Sequence, residues 1–140
     1  MELPQALSED ELRLLHRLAA DAVAGQPEAE TVLAGVRDQA PLGVLAPRGG
    51  PLARHYADLA EATRTVRGAA ARDYADTLHR LLSYHAVLLE QALELAARWW
   101  PSERLALERR RLHGLGAPGA KLRQLEQELR ALLELEYDLR

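Results

Sequence analysis

Cysteine and phenylalanine are both absent from this chain of 140 residues. Without cysteine the chain has no disulfide, no thiolate metal site and no thiol nucleophile. Small secreted domains depend on disulfides, so that class is disfavoured as well. With only four tyrosines and two tryptophans, the core must consist mainly of leucine, alanine and valine. Such a core favours closely packed helices over a β-sandwich.

Long apolar runs are also missing, since no stretch of 18 consecutive apolar residues occurs. We therefore expect no membrane-spanning helix and no membrane partner. The opening MELPQALSEDE carries acidic residues where a secretory leader needs a basic start and an apolar stretch. These features predict a cytoplasmic protein. Its 48% hydrophobic and 28% charged content fits one globular domain over residues 1–140.

The acidic and basic residues are unevenly distributed along the chain. Residues 1–30 hold seven acidic and two basic residues, a balance of −5. This balance disfavours a DNA-reading helix pair there, because phosphate contacts dominate DNA binding. Residues 98–123 hold seven basic and two acidic residues, a balance of +5. This segment supplies candidate nucleic-acid-binding residues, namely Arg104, Arg109, Arg110, Arg111, Lys121 and Arg123. Pairing of these arginines with nearby glutamates is the alternative.

The N-terminal part, residues 1–39, is predicted to be a helix pair. Ser8 and Glu11 have the spacing of a capping box at the start of the first helix. Gly25 and Pro27 then end that helix and open a short second one. The next segment, residues 40–51, reads APLGVLAPRGGP. Its density of proline and glycine predicts a connecting loop.

Residues 52–100 contain no proline and form the predicted long helical region. A single helix of this length would measure about 74 Å, far more than a compact domain's diameter. We therefore favour two helices separated near Gly68, with one continuous helix as the alternative.

Residues 102–140 are predicted to be a C-terminal helical hairpin. Ser102 caps a short helix over 103–113, GLGAPG at 114–119 ends it, and a last helix covers 120–139. The last helix repeats leucine at alternating spacings of three and four, which predicts a face for self-association or partner docking. Its candidate residues are Leu122, Leu125, Leu129, Leu132 and Leu139. The fold prediction is thus an all-α, single-domain bundle of five or six helices.

His85 lies at the centre of the apolar face of the helix that ends near Trp100. The favoured interpretation is a hydrogen-bonded core histidine, because an unpaired buried imidazole costs roughly 1–3 kcal/mol. Glu136 is expected to reach solvent, with a buried pair to His85 as the alternative. Asp76 and His79 have i,i+3 spacing but lack further ligands, so we expect no metal and no cofactor.

The segment Arg80–His85, RLLSYH, has the Arg-x4-His spacing of the HEPN family of helical ribonucleases. This resemblance covers six residues. It implies a ribonuclease in which Arg80 and His85 act together on a phosphate. In a regular helix the two side chains diverge by about 140°, so such a site requires a distorted helix.

Three functions are thus open. The favoured one is a non-enzymatic interaction or adaptor protein that self-associates, as a homodimer, or docks a partner protein through the last helix. The alternative is a nucleic-acid-associated subunit that uses the basic segment, and a HEPN-like ribonuclease is the remote one. The sequence contains neither GxSxG nor GxxxxGK[ST], so we expect no enzyme.

Overall fold

The computed structural model describes residues 7–98 and 102–137, with the backbone alone for residues 136 and 137. The described residues form six α-helices and one 3₁₀ turn, Thr63–Thr65. The helices are α1 (Glu9–Ala24), α2 (Gln26–Arg37), α3 (Leu42–Ala62), α4 (Ala69–Ala97), α5 (Glu103–Arg110) and α6 (Gly116–Tyr137). The predicted all-α bundle is confirmed. None of the described helices combines the length and apolar content needed to cross a membrane.

The centre of the fold is a hairpin of α3 and α4, on which the other helices pack. Helix α1 packs mainly on α6 and α2 mainly on α3, while α5 contacts α2 and α4. The core is built of leucine and alanine, as predicted. Its largest buried side chain is Tyr56, whose hydroxyl donates to the carbonyl oxygen of Ala22 at 2.7 Å.

The predicted capping box of α1 is present in part. Ser8 caps the helix, but the Glu11 side chain binds backbone N–H groups at the start of α4. The Ser8 hydroxyl accepts the N–H of Glu11 at 3.1 Å. The Glu11 carboxylate in turn accepts the backbone N–H groups of Gly68 at 2.8 Å and Arg67 at 3.2 Å. Gly68 is the N-cap of α4 and has no side chain of its own for capping. Glu11 therefore caps a second helix, and the Gly68 hydrogen bond lowers the pKa of its carboxyl.

The predicted loop over residues 40–51 is wrong, because α3 begins at Leu42 and runs through Pro47 and Pro51. Each proline removes one helical hydrogen bond. The carbonyl groups left without a donor lie four residues before each proline, at Gly43 and Pro47. Both of these residues are exposed to water. On the opposite side, Gly49 is buried, and a Cβ there would lie 2.9 Å from Val32 Cγ1. Close packing on α2 and α4 thus stabilises a helix that composition alone disfavours.

The predicted break near Gly68 is confirmed, and the single continuous helix is wrong. Helix α3 ends at Ala62 and α4 begins at Ala69. Between them Val66 adopts an extended backbone, with φ −80° and ψ 118°.

The two predicted C-terminal helices are present, but α5 packs mainly on α2 and α4 and does not form the predicted hairpin with α6. The Ser102 hydroxyl caps α5 by accepting the N–H of Leu105 at 2.9 Å. Helix α6 begins at Gly116, earlier than the predicted residue 120. Pro118 falls in its first turn, where a missing N–H costs nothing. Trp100 lies outside the described residues.

Candidate docking groove

The predicted basic cluster does not form one surface, and Arg109 is its clearest exception. Its side chain is 8% exposed. Nε donates to the carbonyl oxygen of Val36 at 2.8 Å and Nη2 to that of Ala40 at 2.7 Å. Arg109 therefore holds the end of α2 and the turn that follows it. Burial lowers the pKa of its guanidinium. Arg109 therefore presents little of its guanidinium to a phosphate, because the side chain is buried and two of its donors bind carbonyl oxygens inside the fold.

The other members of the cluster separate into distinct environments. Arg123 donates to the Gln26 side-chain oxygen at 3.1 Å, and Arg104 pairs with Glu108 at 3.4 Å. Lys121 lies in a groove between α4 and α6. The remaining two, Arg110 and Arg111, are exposed and form no ion pair with the described part of the chain.

The leucine seam of α6 is largely occupied by the chain itself. Leu122, Leu125 and Leu129 are buried in the core, where α6 packs on α1 and α4. Leu132 is partly buried against the same core. Leu139 lies outside the described residues. The seam therefore completes this bundle, and a partner would have to contact the outer edges of α6.

His85 is a core histidine, as predicted. It is fully buried, and its Nδ1 lies 2.7 Å from the carbonyl oxygen of Leu81. Because a carbonyl only accepts, Nδ1 carries the proton. Nε2, 3.2 Å from the Gln26 amide nitrogen, then accepts a hydrogen bond. Burial lowers the pKa of His85, which keeps the ring neutral.

Gln26 extends this pair into a network that joins three helices. Its amide nitrogen also donates to the carbonyl oxygen of Gly119 at 3.0 Å, and its oxygen accepts from Arg123. Among the described residues, Gln26 and the Leu81 carbonyl are therefore the partners of the His85 ring nitrogens. The Glu136 side chain lies outside the described residues. No periodic signal in the sequence distinguishes Gln26, since a glutamine at a helix start is usually exposed.

Arg80 and His85 do not share a site. Arg80 is exposed and lines the groove between α4 and α6, whereas both ring nitrogens of His85 are used in the core. The phosphate site that the HEPN resemblance implies is thus not formed by these two residues. Within residues 7–98 and 102–135, no three or more His, Asp or Glu side chains are placed to hold a metal ion.

The groove between α4 and α6 is the candidate functional site, and we call it the α4–α6 groove. It has a volume of about 390 Å³. Leu81 and Leu125 supply its apolar surface, and Arg80 and Lys121 supply one basic side chain from each helix. Neither basic group forms an ion pair with another described residue. The rest of the lining is polar: Thr77, Gln124 and Glu128.

An apolar stripe continues from the groove along α4. Leu81, Tyr84 and Leu88 are spaced by three and four residues, so they share one helix face. Tyr84 is 43% exposed, whereas Val87, which is 47% exposed, lines a cleft on the α3 side of α4. Large exposed apolar groups beside a groove are typical of protein-binding surfaces.

Comparison of the chain with protein-family models, curated proteins and solved structures finds no match. The groove is therefore interpreted from its own geometry and chemistry.

Proposed function

We propose that this chain is a non-enzymatic adaptor that binds an acidic amphipathic helix of a partner protein in the α4–α6 groove. The observation that carries the proposal is the position of Arg80 and Lys121. They come from different helices, line the same groove and lack an ion-pair partner in the described chain. A ligand helix with acidic side chains beside an apolar stripe would satisfy both the charge and the apolar surface.

The groove has the composition of a helix-binding site. Leu81 and Leu125 are mostly buried in the core, with 9% and 6% of their surface exposed, and that exposed part forms the apolar floor of the groove. Such a floor can contact leucines spaced at i, i+3/i+4 and i+7 on a ligand helix. Tyr84 and Arg80 belong to the residue types that carry most binding energy at protein interfaces. The charge of the groove differs between its two ends on α6, since the acidic Glu128 lies two turns beyond the basic Lys121. Acidic groups of the ligand should therefore contact the Lys121 end.

A charge-reversal experiment tests this proposal. The probes are two synthetic amphipathic helices with the same leucine stripe, one flanked by glutamates and one by lysines. Arg80→Glu with Lys121→Glu should weaken binding of the glutamate peptide by about tenfold or more and strengthen binding of the lysine peptide. NMR shift changes should map to Leu81, Tyr84 and Leu125 in the unaltered chain.

The matched control is Arg110→Glu with Arg111→Glu, which makes the same change in net charge outside the groove. The proposal fails if the control weakens binding as much as the groove variant does, or if neither variant changes it. Shift changes that map away from the groove would also overturn it.

Two other functions give different outcomes in the same experiments. Arg110 and Arg111 are the members of the basic segment that are exposed outside the groove and form no ion pair with a described residue. A nucleic-acid-binding role therefore predicts duplex binding that this control pair weakens. Self-association predicts a dimer mass in sedimentation that the groove reversal changes.

A further inference from the structure

A second cavity lies where α3 turns into α4, and we call it the corner cavity. It has a volume of about 330 Å³ and is separate from the α4–α6 groove. Its charged or titratable lining residues are Arg64, Arg67, Arg72, Asp76 and His79. They come from the 3₁₀ turn, the link after it and the first turns of α4. The bend between the helices thus places three arginines in the lining of one cavity.

These guanidinium groups are largely free of internal partners. Arg67 and Arg72 form no ion pair with any side chain in the described ranges, and Arg64 pairs only with Glu61, at 3.3 Å. Asp76 is the one acid in the lining and Glu61 neutralises Arg64, so the three arginines leave an excess of one positive charge. Such an excess favours an anionic ligand.

His79 adds a fourth polar group with a defined orientation. Its Nδ1 lies 3.0 Å from the carbonyl oxygen of Ala60, which only accepts, so Nδ1 carries the proton. Its Nε2 has no hydrogen-bond partner in the described chain. Because no buried polar side-chain atom of that part is unpaired, Nε2 is reached by solvent. His79 lines both the corner cavity and a neighbouring cleft between α3 and α4.

The backbone at this corner does not supply the anion site. Glu11 already accepts the N–H groups of Arg67 and Gly68 at the start of α4. Binding must come from the side chains, and guanidinium forks match phosphate oxygens in pairs. From the cavity and its arginines we infer that the corner cavity binds a phosphate group, as the free ion or as a monoester, held by Arg64, Arg67 and Arg72 with His79 beside it.

Titration calorimetry with inorganic phosphate and with phenyl phosphate tests this inference. Arg67→Gln and Arg72→Gln should each weaken binding by about tenfold, since each removes a charge-assisted contact. Arg54→Gln is the matched control, because Arg54 is exposed on α3 outside this lining and has the same charge. It should change binding by less than about twofold. Tighter binding of phenyl phosphate identifies a monoester, and tighter binding of inorganic phosphate identifies the free ion.

Arg72→Lys keeps the positive charge but removes the two-pronged guanidinium. This variant should bind phosphate less tightly than the unaltered chain does. Thermal melts establish that each variant is folded, which these exposed positions permit. The inference is overturned if neither ligand binds saturably, or if Arg54→Gln weakens binding as much as Arg67→Gln and Arg72→Gln do.

Discussion

The side-chain nitrogen of Gln26 lies 3.2 Å from Nε2 of His85, although 59 positions separate the two residues. This buried contact ties the first turn of α2 to the middle of α4. It also fixes the tautomer of His85, because the other ring nitrogen donates to Leu81. The contact makes His85 a structural residue whose replacement has a defined cost.

Replacing His85 by leucine should change the free energy of unfolding by no more than about 1 kcal/mol. The Gln26 amide loses one acceptor but keeps its bond to Gly119. His85→Asp should destabilise the chain by about 3 kcal/mol or more, because it buries a charge. Urea unfolding of both variants measures the difference. Equal stability of the two would contradict the core assignment.

His85 should also make stability depend on pH. Burial lowers its pKa below the ordinary value of 6.5 in the folded chain. The unfolded chain therefore binds the proton more readily, and the free energy of unfolding decreases as the pH falls below 6.5. Between about pH 7.5 and about pH 5, the unaltered chain should lose more stability than His85→Leu does. Parallel losses in the two proteins would show that His85 does not contribute.

Arg109 and Arg110 are adjacent arginines with opposite expected behaviour. Arg109→Ala should cost about 2–3 kcal/mol, because it removes charged hydrogen bonds to Val36 and Ala40. Arg110→Ala should stay within about 0.5 kcal/mol of the unaltered chain, since Arg110 is exposed. Thermal and urea unfolding of the pair test this. A large loss at Arg110, or none at Arg109, would refute it.

Two glycines of α3 offer a similar contrast. Gly49→Ala should destabilise by about 1–3 kcal/mol, because the new Cβ meets Val32 and Leu93 at 2.9–3.1 Å. Gly43→Ala should stabilise by about 0.4–1 kcal/mol, as nothing lies within 4 Å of its Cβ position. The measurement is the shift of the urea midpoint. Similar shifts at both positions would mean that α3 does not pack as described.

Local signals predicted much of the fold. The spacing of apolar residues predicted helical structure along most of the chain. Ser8 and Ser102 indicated where two helices start, and Gly68 indicated the break before α4. The apolar face around His85 predicted that its ring is buried. These features depend on neighbours within one or two turns, which the order of residues specifies directly.

The local environment of the predicted basic cluster and of the leucine seam could not be predicted in this way. Both were inferred from residue type and spacing alone, which do not say whether a side chain faces water. The bundle directs Arg109 inward and covers Leu122 and Leu129 with other helices. The α4–α6 groove joins Arg80 to Lys121, 41 positions apart, so no local pattern could have indicated it.

The sequence by itself determined an all-α chain, most helix limits and the core position of His85, because helix propensity, caps and apolar periodicity act locally. Only the tertiary structure decided that α3 continues through Pro47 and Pro51, and that Glu11 caps α4. In both cases contacts with residues far along the chain outweigh the local preference. Packing against α2 and α4 stabilises a helix with two prolines, and a carboxylate from α1 supplies the cap that Gly68 lacks.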